Sequence, residues 1–247
     1  MSKLSVTQTQ TVMQVQNPLP AHIGFVMDGN GRWATGRNKK RSEGHKAGVK
    51  NMQAVVEHCF ALGIGCVSVF AFSTENWERP VEEREGLFDL VREYLKRLLG
   101  DVNKLKKDNI KIEFMGDLSP FAEQHQDILD GIGEVRQACA DCDGGVFNIA
   151  INYGGRQEIV AAANNAVLIG KQLSQQDFEK LLYTKRCPPL DMMVRTGGQM
   201  RLSNFMLYQV AYAELFFEET LWPDFDKQKL DEVLKKFAQR QRNFGKV

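Results

Sequence analysis

Short apolar runs recur along this chain, and each closes on a polar or glycine-bearing turn that leads into another segment. The runs are Ile23–Met27, Cys66–Phe72, Ile110–Met115, Val146–Ile151, 191–194 and Leu215–Phe217. Cys66–Phe72 is apolar almost throughout, as parallel strands buried on both faces are. Helical spacing fills the intervals. Val55, Val56, Cys59 and Leu62 mark a helix over Met52–Leu62 stopped by Gly63, and Leu87, Phe88, Val91, Leu95 and Leu98 mark one over 82–100. Further helices are expected from Ser119–Pro120 to about Ala140, after Arg156 to Ile169, from a Ser174 cap through Leu182, from a Ser203 cap to about Ala213, and over Leu230–Arg240. The pattern predicts an α/β fold: a single domain with a mostly parallel central sheet and helices on both faces. Residues 1–17 read as a polar leader, and 18–247 as one domain of ordinary size.

Composition narrows the function. A net charge of +1 argues against a nucleic-acid binder driven by global charge, so any anion site must arise from local clustering of arginines. No apolar run approaches the roughly 20 residues that span a bilayer, and the N-terminus lacks the apolar core of a secretory signal. A cytoplasmic location is the default expectation. Five cysteines without regular spacing fit reduced thiols, and Cys139-Ala-Asp-Cys142 has no second pair to complete a zinc site.

The first run ends abruptly in Asp28-Gly29-Asn30-Gly31-Arg32-Trp33-Ala34. Such a turn can cradle a phosphate on free amides, with Arg32 adding a fixed charge. Asp28 would repel that phosphate unless a divalent cation stood between them, which suggests Mg²⁺. Two other readings compete. Gly29-x-Gly31-x-x-Ala34 formally satisfies the dinucleotide fingerprint, although Val49, Lys50 and Asn51 stand where its acidic residue belongs. A tight turn with an incidental aspartate is the plainest alternative. The basic stretch Arg37–Arg41, followed by Gly44-His45-Lys46-Ala47-Gly48, suits either a solvated face or an anion-facing loop.

In a parallel sheet, ligands bind beyond the carboxyl ends of the strands. Asp28, Arg32, Ser73 to Arg79, Asn152 and Arg195 to Ser203 all fall there. Guanidinium forks from separate loops suit a diphosphate, and Arg32, Arg79, Arg195 and Arg201 are the candidates. The nucleoside-triphosphate loop pattern is absent.

These residues fall into ordered motifs. They are His22-x-x-Phe25-x-Met27-Asp28-Gly29-Asn30-Gly31-Arg32-Trp33-Ala34, Gly44-His45-x-x-Gly48, Phe70-Ala-Phe-Ser73-Thr-Glu-Asn76-Trp77-x-Arg79-Pro80, Arg195-Thr-Gly-Gly-x-x-Arg201-Leu-Ser203-Asn204-Phe205, Ala211-Tyr212-x-Glu214-Leu215-x-Phe217 and Trp222-Pro223-Asp224-Phe225. Together, from about Pro20 to Gly245, they resemble the cis-prenyltransferases, and in particular bacterial members that make the lipid carrier for cell-wall polysaccharide.

The resemblance implies Mg²⁺-dependent condensation of isopentenyl diphosphate onto an allylic diphosphate, usually farnesyl diphosphate. It implies that Asp28 holds the metal, with Glu214 completing the site, and that Asp28 and Asn76 are catalytic. Gly29, Asn30, Gly31, Arg32, Trp33, Arg41 and His45 would embrace the allylic diphosphate. Arg195, Arg201 and Ser203 would bind isopentenyl diphosphate, and Ser73, Thr74, Glu75, Trp77 and Arg79 would line the reacting centre. The 87–98 stripe, core by spacing alone, would wall a tunnel for the growing chain. A homodimer joined near Ala211–Phe217 and peripheral contact with the inner membrane face are further implications. The chain departs from the family at Gln199, where a glutamate is usual, and at Asn243-Phe244-Gly245, where an Arg-x-Gly triplet is common.

Overall fold

A computed structural model describes residues 19–240, so the leader and the departure at Asn243 to Gly245 lie outside the described residues. Six strands form one sheet: β1 (His22–Val26), β2 (Cys66–Ser73), β3 (Ile110–Met115), β4 (Gly145–Tyr153), β5 (Met192–Arg195) and β6 (Glu214–Phe217). Their spatial order is β3-β4-β2-β1-β5-β6, and every neighbouring pair is parallel. Helices connect them: α1 (Asn30–Thr35), α2 (Arg41–Ala61), α3 (Val81–Gly100), α4 (Val102–Lys107), α5 (Gln126–Ala138), α6 (Gly155–Ile169), α7 (Gln175–Glu179) and α8 (Lys227–Ala238). Ser174 caps α7 as its hydroxyl accepts the Asp177 N–H.

The strand period of two divides the core. Ile23, Phe25, Val67, Val69, Ile149 and Val194 face a large cluster built with α2, α3, α5 and α8. Val26, Ala150 and Met193 face a smaller one with Tyr153, Phe205 and Met206. On that second side the buried carboxylate of Glu158 ties α6 down. It accepts from Tyr153 Oη at 2.6 Å, Gln209 Nε2 at 3.1 Å and the Tyr183 N–H at 2.8 Å. Cys139 and Cys142 are buried, and Cys139 Sγ accepts the Ile112 N–H at 3.2 Å. That pair packs α5 against β3.

Three expected elements differ. Helix α2 already begins at Arg41, so His45 and Gly48 are helical rather than part of a loop. Its first three turns lack an apolar stripe and are held by tertiary contacts. Trp222 Nε1 donates to the Gly48 carbonyl, and Asn51 Nδ2 donates to the carbonyls of Trp222 and Phe225. Gly44 allows close approach to α1, because a Cβ there would collide with the Asn30 carbonyl. The helix expected from Ser119 is broken into a 3₁₀ turn (Ser119–Phe121) and α5, with Phe121 turned into an aromatic cluster with Phe88 and Trp77.

The helix expected over 203–213 does not form, apart from a 3₁₀ turn at Gln209–Tyr212. Ser203, Asn204 and Met206 have φ of 49°, 63° and 48°, left-handed values that a helix excludes. Polar commitments to other elements hold them there. The Gly155 N–H bonds the Asn204 carbonyl, and the Arg156 N–H bonds Asn204 Oδ1.

At the amino edge of the sheet, His22 is fully buried. Burial pushes its imidazole from 6.5 down to about 4, outweighing the Pro188 carbonyl and Asp191, which act the other way. The native state therefore resists a proton that the unfolded chain accepts. The stability that this neutral histidine contributes is fully present above pH 6.5 and lost as pH falls toward 4. Urea midpoints measured across that window should decline, and His22→Asn should remove one proton from the measured uptake on unfolding. An unchanged proton uptake in the variant would contradict the assignment.

Candidate active site

Strand order reverses at β1, which lies between β2 and β5, and the crevice outside the carboxyl ends of β1 and β5 is the switch point of the sheet. Strand β1 exits there to Asp28 and β5 ends there in Arg195. The Arg195 side chain is 5% exposed, and its Nη2 donates to Asp28 Oδ2 at 2.8 Å. Its Nη1 donates to the Arg201 carbonyl at 2.6 Å and to Ser203 Oγ at 2.7 Å. Arg32 Nη2 approaches the other carboxylate oxygen of Asp28 at 3.2 Å. The Asp28 carboxylate is thereby oriented through both oxygens yet remains part-exposed. Gly29, at φ 113°, turns the chain from Asp28 into α1, and a Cβ there would lie 2.8 Å from Leu221 Cδ2.

A second charged group faces it from α2 and α3. Glu83 Oε1 receives Arg79 Nη1 at 3.1 Å and Arg41 Nη2 at 3.2 Å, while His45 Nε2 stands 3.7 Å away with no hydrogen-bond partner among the described residues. Burial, then Arg79, lowers the His45 pKa, so the ring is neutral at pH 7. One carboxylate thus serves two guanidiniums, leaving excess positive charge at the rim. Arg201, whose Nη1 donates to Gln199 Oε1 at 2.6 Å, adds another. Gln199 holds that arginine with a neutral oxygen and so does not cancel its charge.

The third wall is the 3₁₀ turn Thr74–Glu78 after β2. Asn76 Oδ1 accepts the Ser73 N–H, which fixes the carboxamide at the crevice. Burial raises the Glu75 carboxyl, but hydrogen bonds from Asn204 and from its own turn outweigh this and hold it below the usual range.

Below this polar mouth a cavity of ≈ 640 Å³ runs between the sheet and helices α2 and α3. Asp28, Asn30, His45, Ser73, Glu75, Asn76, Arg79, Arg195 and Ser203 line its mouth. Met52, Leu87, Leu90, Val91, Leu95, Phe114 and Ile149 line its depth. Tyr94 forms part of the floor and also lines a small second void with Phe60, Leu98, Ile112 and Phe147.

The structure does not gather every expected residue. Gly29 and Gly31 shape the turn, and Arg41 packs over Gly31. Trp33 faces outward, donating to Asp224 Oδ1 with Arg37 stacked at 4.4 Å from its ring. Trp77 packs against Phe72, Phe88 and Phe121 and donates to Asn152 Oδ1 at 2.8 Å, so it supports the turn from behind. Thr74 lines a different cavity with Asn152 and Arg156. Glu214 opens β6 opposite Met192, at the far end of that strand pairing from the Arg195–Phe217 pair, with Arg240 Nε at 4.0 Å. Within one chain it does not join Asp28. Glu83 and Asn204 were absent from the expected set. Glu83 could have been found as the i,i+4 partner of Arg79 at the start of a helix.

The dinucleotide alternative fails on this geometry. Helix α1 has six residues, Trp33 faces outward from it, and positions 49–51 lie within α2.

Comparison with known proteins agrees with the architecture. The sequence model of a family described as "Putative undecaprenyl diphosphate synthase" matches residues 26–245. An isoprenyl transferase of Neisseria gonorrhoeae is 41% identical over 242 residues, covering 98% of this chain and 95% of that protein. One from Leptospira interrogans is 40% identical, covering 93% and 96%. Among solved structures, lavandulyl diphosphate synthase from Lavandula x intermedia, in complex with dimethylallyl diphosphate, superposes with a TM-score of 0.83 at 30% identity, covering 92% of this chain and 99% of that one. A probable undecaprenyl diphosphate synthase from Campylobacter jejuni gives 0.74 at 35% identity, covering 93% and 100%. A family match over most of the chain, joined to a six-stranded parallel sheet with a charged mouth over an apolar cavity, shows that the chain belongs to the undecaprenyl diphosphate synthase family of prenyltransferases.

Proposed function

We propose that the chain elongates farnesyl diphosphate by successive cis condensations with isopentenyl diphosphate, giving undecaprenyl diphosphate, the precursor of the lipid carrier for cell-wall polysaccharide. The observation that carries this reading is the continuity of two opposite chemistries. An arginine-rich mouth opens directly into an apolar cavity of ≈ 640 Å³, the shape and polarity of a diphosphate joined to a hydrocarbon.

Asp28 suits Mg²⁺. It is one hard carboxylate, part-exposed at the mouth, and Mg²⁺ is commonly held by one or two carboxylates together with substrate phosphates and water. When bound, the ion would neutralise charge on the departing diphosphate. Arg32, Arg41, Arg79, Arg195 and Arg201 bind and orient diphosphates as fixed bidentate donors. Arg195 and Ser203 cluster with Asp28, while His45 and Arg79 cluster around Glu83 at the same mouth, which supports two diphosphate subsites. The alkene of isopentenyl diphosphate forms the new C–C bond as the allylic C–O bond breaks and diphosphate leaves. Loss of a proton then restores a double bond. The apolar depth excludes water from the allylic cation and receives the lengthening chain.

Exposed Leu215 on the edge strand β6 and exposed Tyr212 just before it support a homodimer joined there. Among the described residues no helix is long and apolar enough to cross a membrane, so contact with the inner face would be peripheral.

Labelled isopentenyl diphosphate should enter lipid-extractable product when farnesyl diphosphate and Mg²⁺ are present, and excess chelator should abolish it. Asp28→Ala should lower turnover by about 10²–10³-fold, the scale of losing one electrostatic element of a preorganised site, with the circular dichroism spectrum retained. A folded, Mg²⁺-supplied wild type that incorporates no label would overturn the reading. Chain length should follow the floor of the cavity. Tyr94→Ala joins it to the void beneath, so chromatography should show longer products, and an unaltered length distribution would contradict this placing of the floor.

A further inference from the structure

We propose that His22, Cys66 and Cys187 form a binding site for a thiophilic closed-shell metal ion, Zn²⁺ or Cu⁺, at the edge of the sheet opposite the diphosphate crevice. His22 opens β1 and Cys66 opens β2, and the two are directly paired in the parallel register. The loop before β5 brings Cys187 onto the same face. One ligand atom from each of the three residues lies within 4.8 Å of the other two. Tetrahedral zinc, with bonds of about 2.3 Å to sulfur, separates two thiolates by about 3.8 Å. Closing the site therefore needs movements of about an ångström.

The surroundings orient these donors as metal ligands are oriented. Pro188, adjacent to Cys187, accepts from His22 Nδ1 at 3.0 Å, which leaves the Nε2 lone pair directed into the cluster. Ser68 Oγ now meets that lone pair at 2.8 Å, and Asn148 Nδ2 lies 3.0 Å from Ser68 Oγ and 3.5 Å from Cys66 Sγ; these are the contacts an ion would displace. Asn148, buried in β4, donates through Nδ2 to Cys187 Sγ at 3.0 Å, a bond that strengthens when the sulfur is a thiolate. Its Oδ1 has no hydrogen-bond partner among the described residues. Two sulfurs and an imidazole are a soft donor set that favours Zn²⁺ or Cu⁺ over Mg²⁺. Binding of Zn²⁺ would release both thiol protons to solvent, and two thiolates would neutralise the ion, which limits the penalty of burying it. Cys187 is only half-buried, which provides an entry path and a fourth position for water.

The site would be structural. It would fasten the start of β1, the start of β2 and the loop leading to β5, while Asp28 and Arg195 lie at the other ends of β1 and β5. Prenyl transfer would not require it, so its test is independent of the proposed activity.

The full chain, reduced and freed of metal, should bind one equivalent of Zn²⁺. At a free concentration a hundredfold above the dissociation constant, Tm should rise by about 5 °C. Co²⁺ in place of Zn²⁺ should give the near-ultraviolet charge-transfer band of a thiolate site. Cys187→Ser, a change in a half-buried loop residue, should keep the fold and lose both signals, and Cys66→Ser should lose them too. Stoichiometric Cu⁺ binding with the same dependence on the two cysteines would support the site with the other ion. Failure to retain either metal, or a charge-transfer band that survives in the Cys66→Ser/Cys187→Ser double variant, would overturn the proposal.

Discussion

The ion pair between Asp28 and Arg195 is the contact around which the crevice is arranged. It joins the exits of β1 and β5, the two strands at which the strand order reverses, at an N–O distance of 2.8 Å. A guanidinium that is 5% exposed is costly to bury without partners, and among the described residues Arg195 has three: the Asp28 carboxylate, the Arg201 carbonyl and Ser203 Oγ. Each contact recruits a different part of the chain. The arginine therefore shapes the 195–206 loop as well as the charge of the site, and it keeps one carboxylate oriented among cations without neutralising them all.

This explains both what the sequence made legible and where periodicity misled. The strands could be read because a central parallel strand must be apolar on both faces, and Ile23–Met27 and Cys66–Phe72 carry that requirement in their composition. The charged candidates could be read because they fall after those strands. The segment from Ser203 to Ala213 has the composition of a capped helix, yet three of its residues adopt left-handed backbone. Their polar atoms are committed to Arg195, Gly155 and Arg156 across the fold, and no local pattern registers such commitments. The first half of α2 shows the converse. Its glycines and charges look like a loop, but contacts with Trp222 and α1 make it helical.

The same distinction separates the site residues. Asp28, His45, Asn76, Arg79, Arg195 and Ser203 converge on the cavity mouth. Trp33 and Trp77 sit in motifs as specific as the rest but support the site from outside it, because a large ring with one N–H is as suited to bracing a turn as to lining a pocket. Glu83 carries no sequence signal of its own, because it lies in the first turn of an amphipathic helix, where a glutamate is common. Its role depends on Arg41, from a helix 42 residues earlier in sequence, reaching the same oxygen as Arg79. The apolar stripe on α3 is legible as a stripe. That Leu87, Val91 and Leu95 face a cavity while Phe88 packs into solid core depends on the spacing of α3 from the sheet, a property of the whole fold.

The most direct test of the account is a crystal structure of the chain with Mg²⁺ and a non-reactive thio analogue of farnesyl diphosphate. The account predicts the diphosphate at the mouth beside Asp28, and the hydrocarbon descending between α2, α3 and the sheet past Leu87 and Leu95. A diphosphate bound elsewhere, for example in the cavity beside Asn152 and Arg156, or a hydrocarbon lying outside the apolar depth, would contradict it.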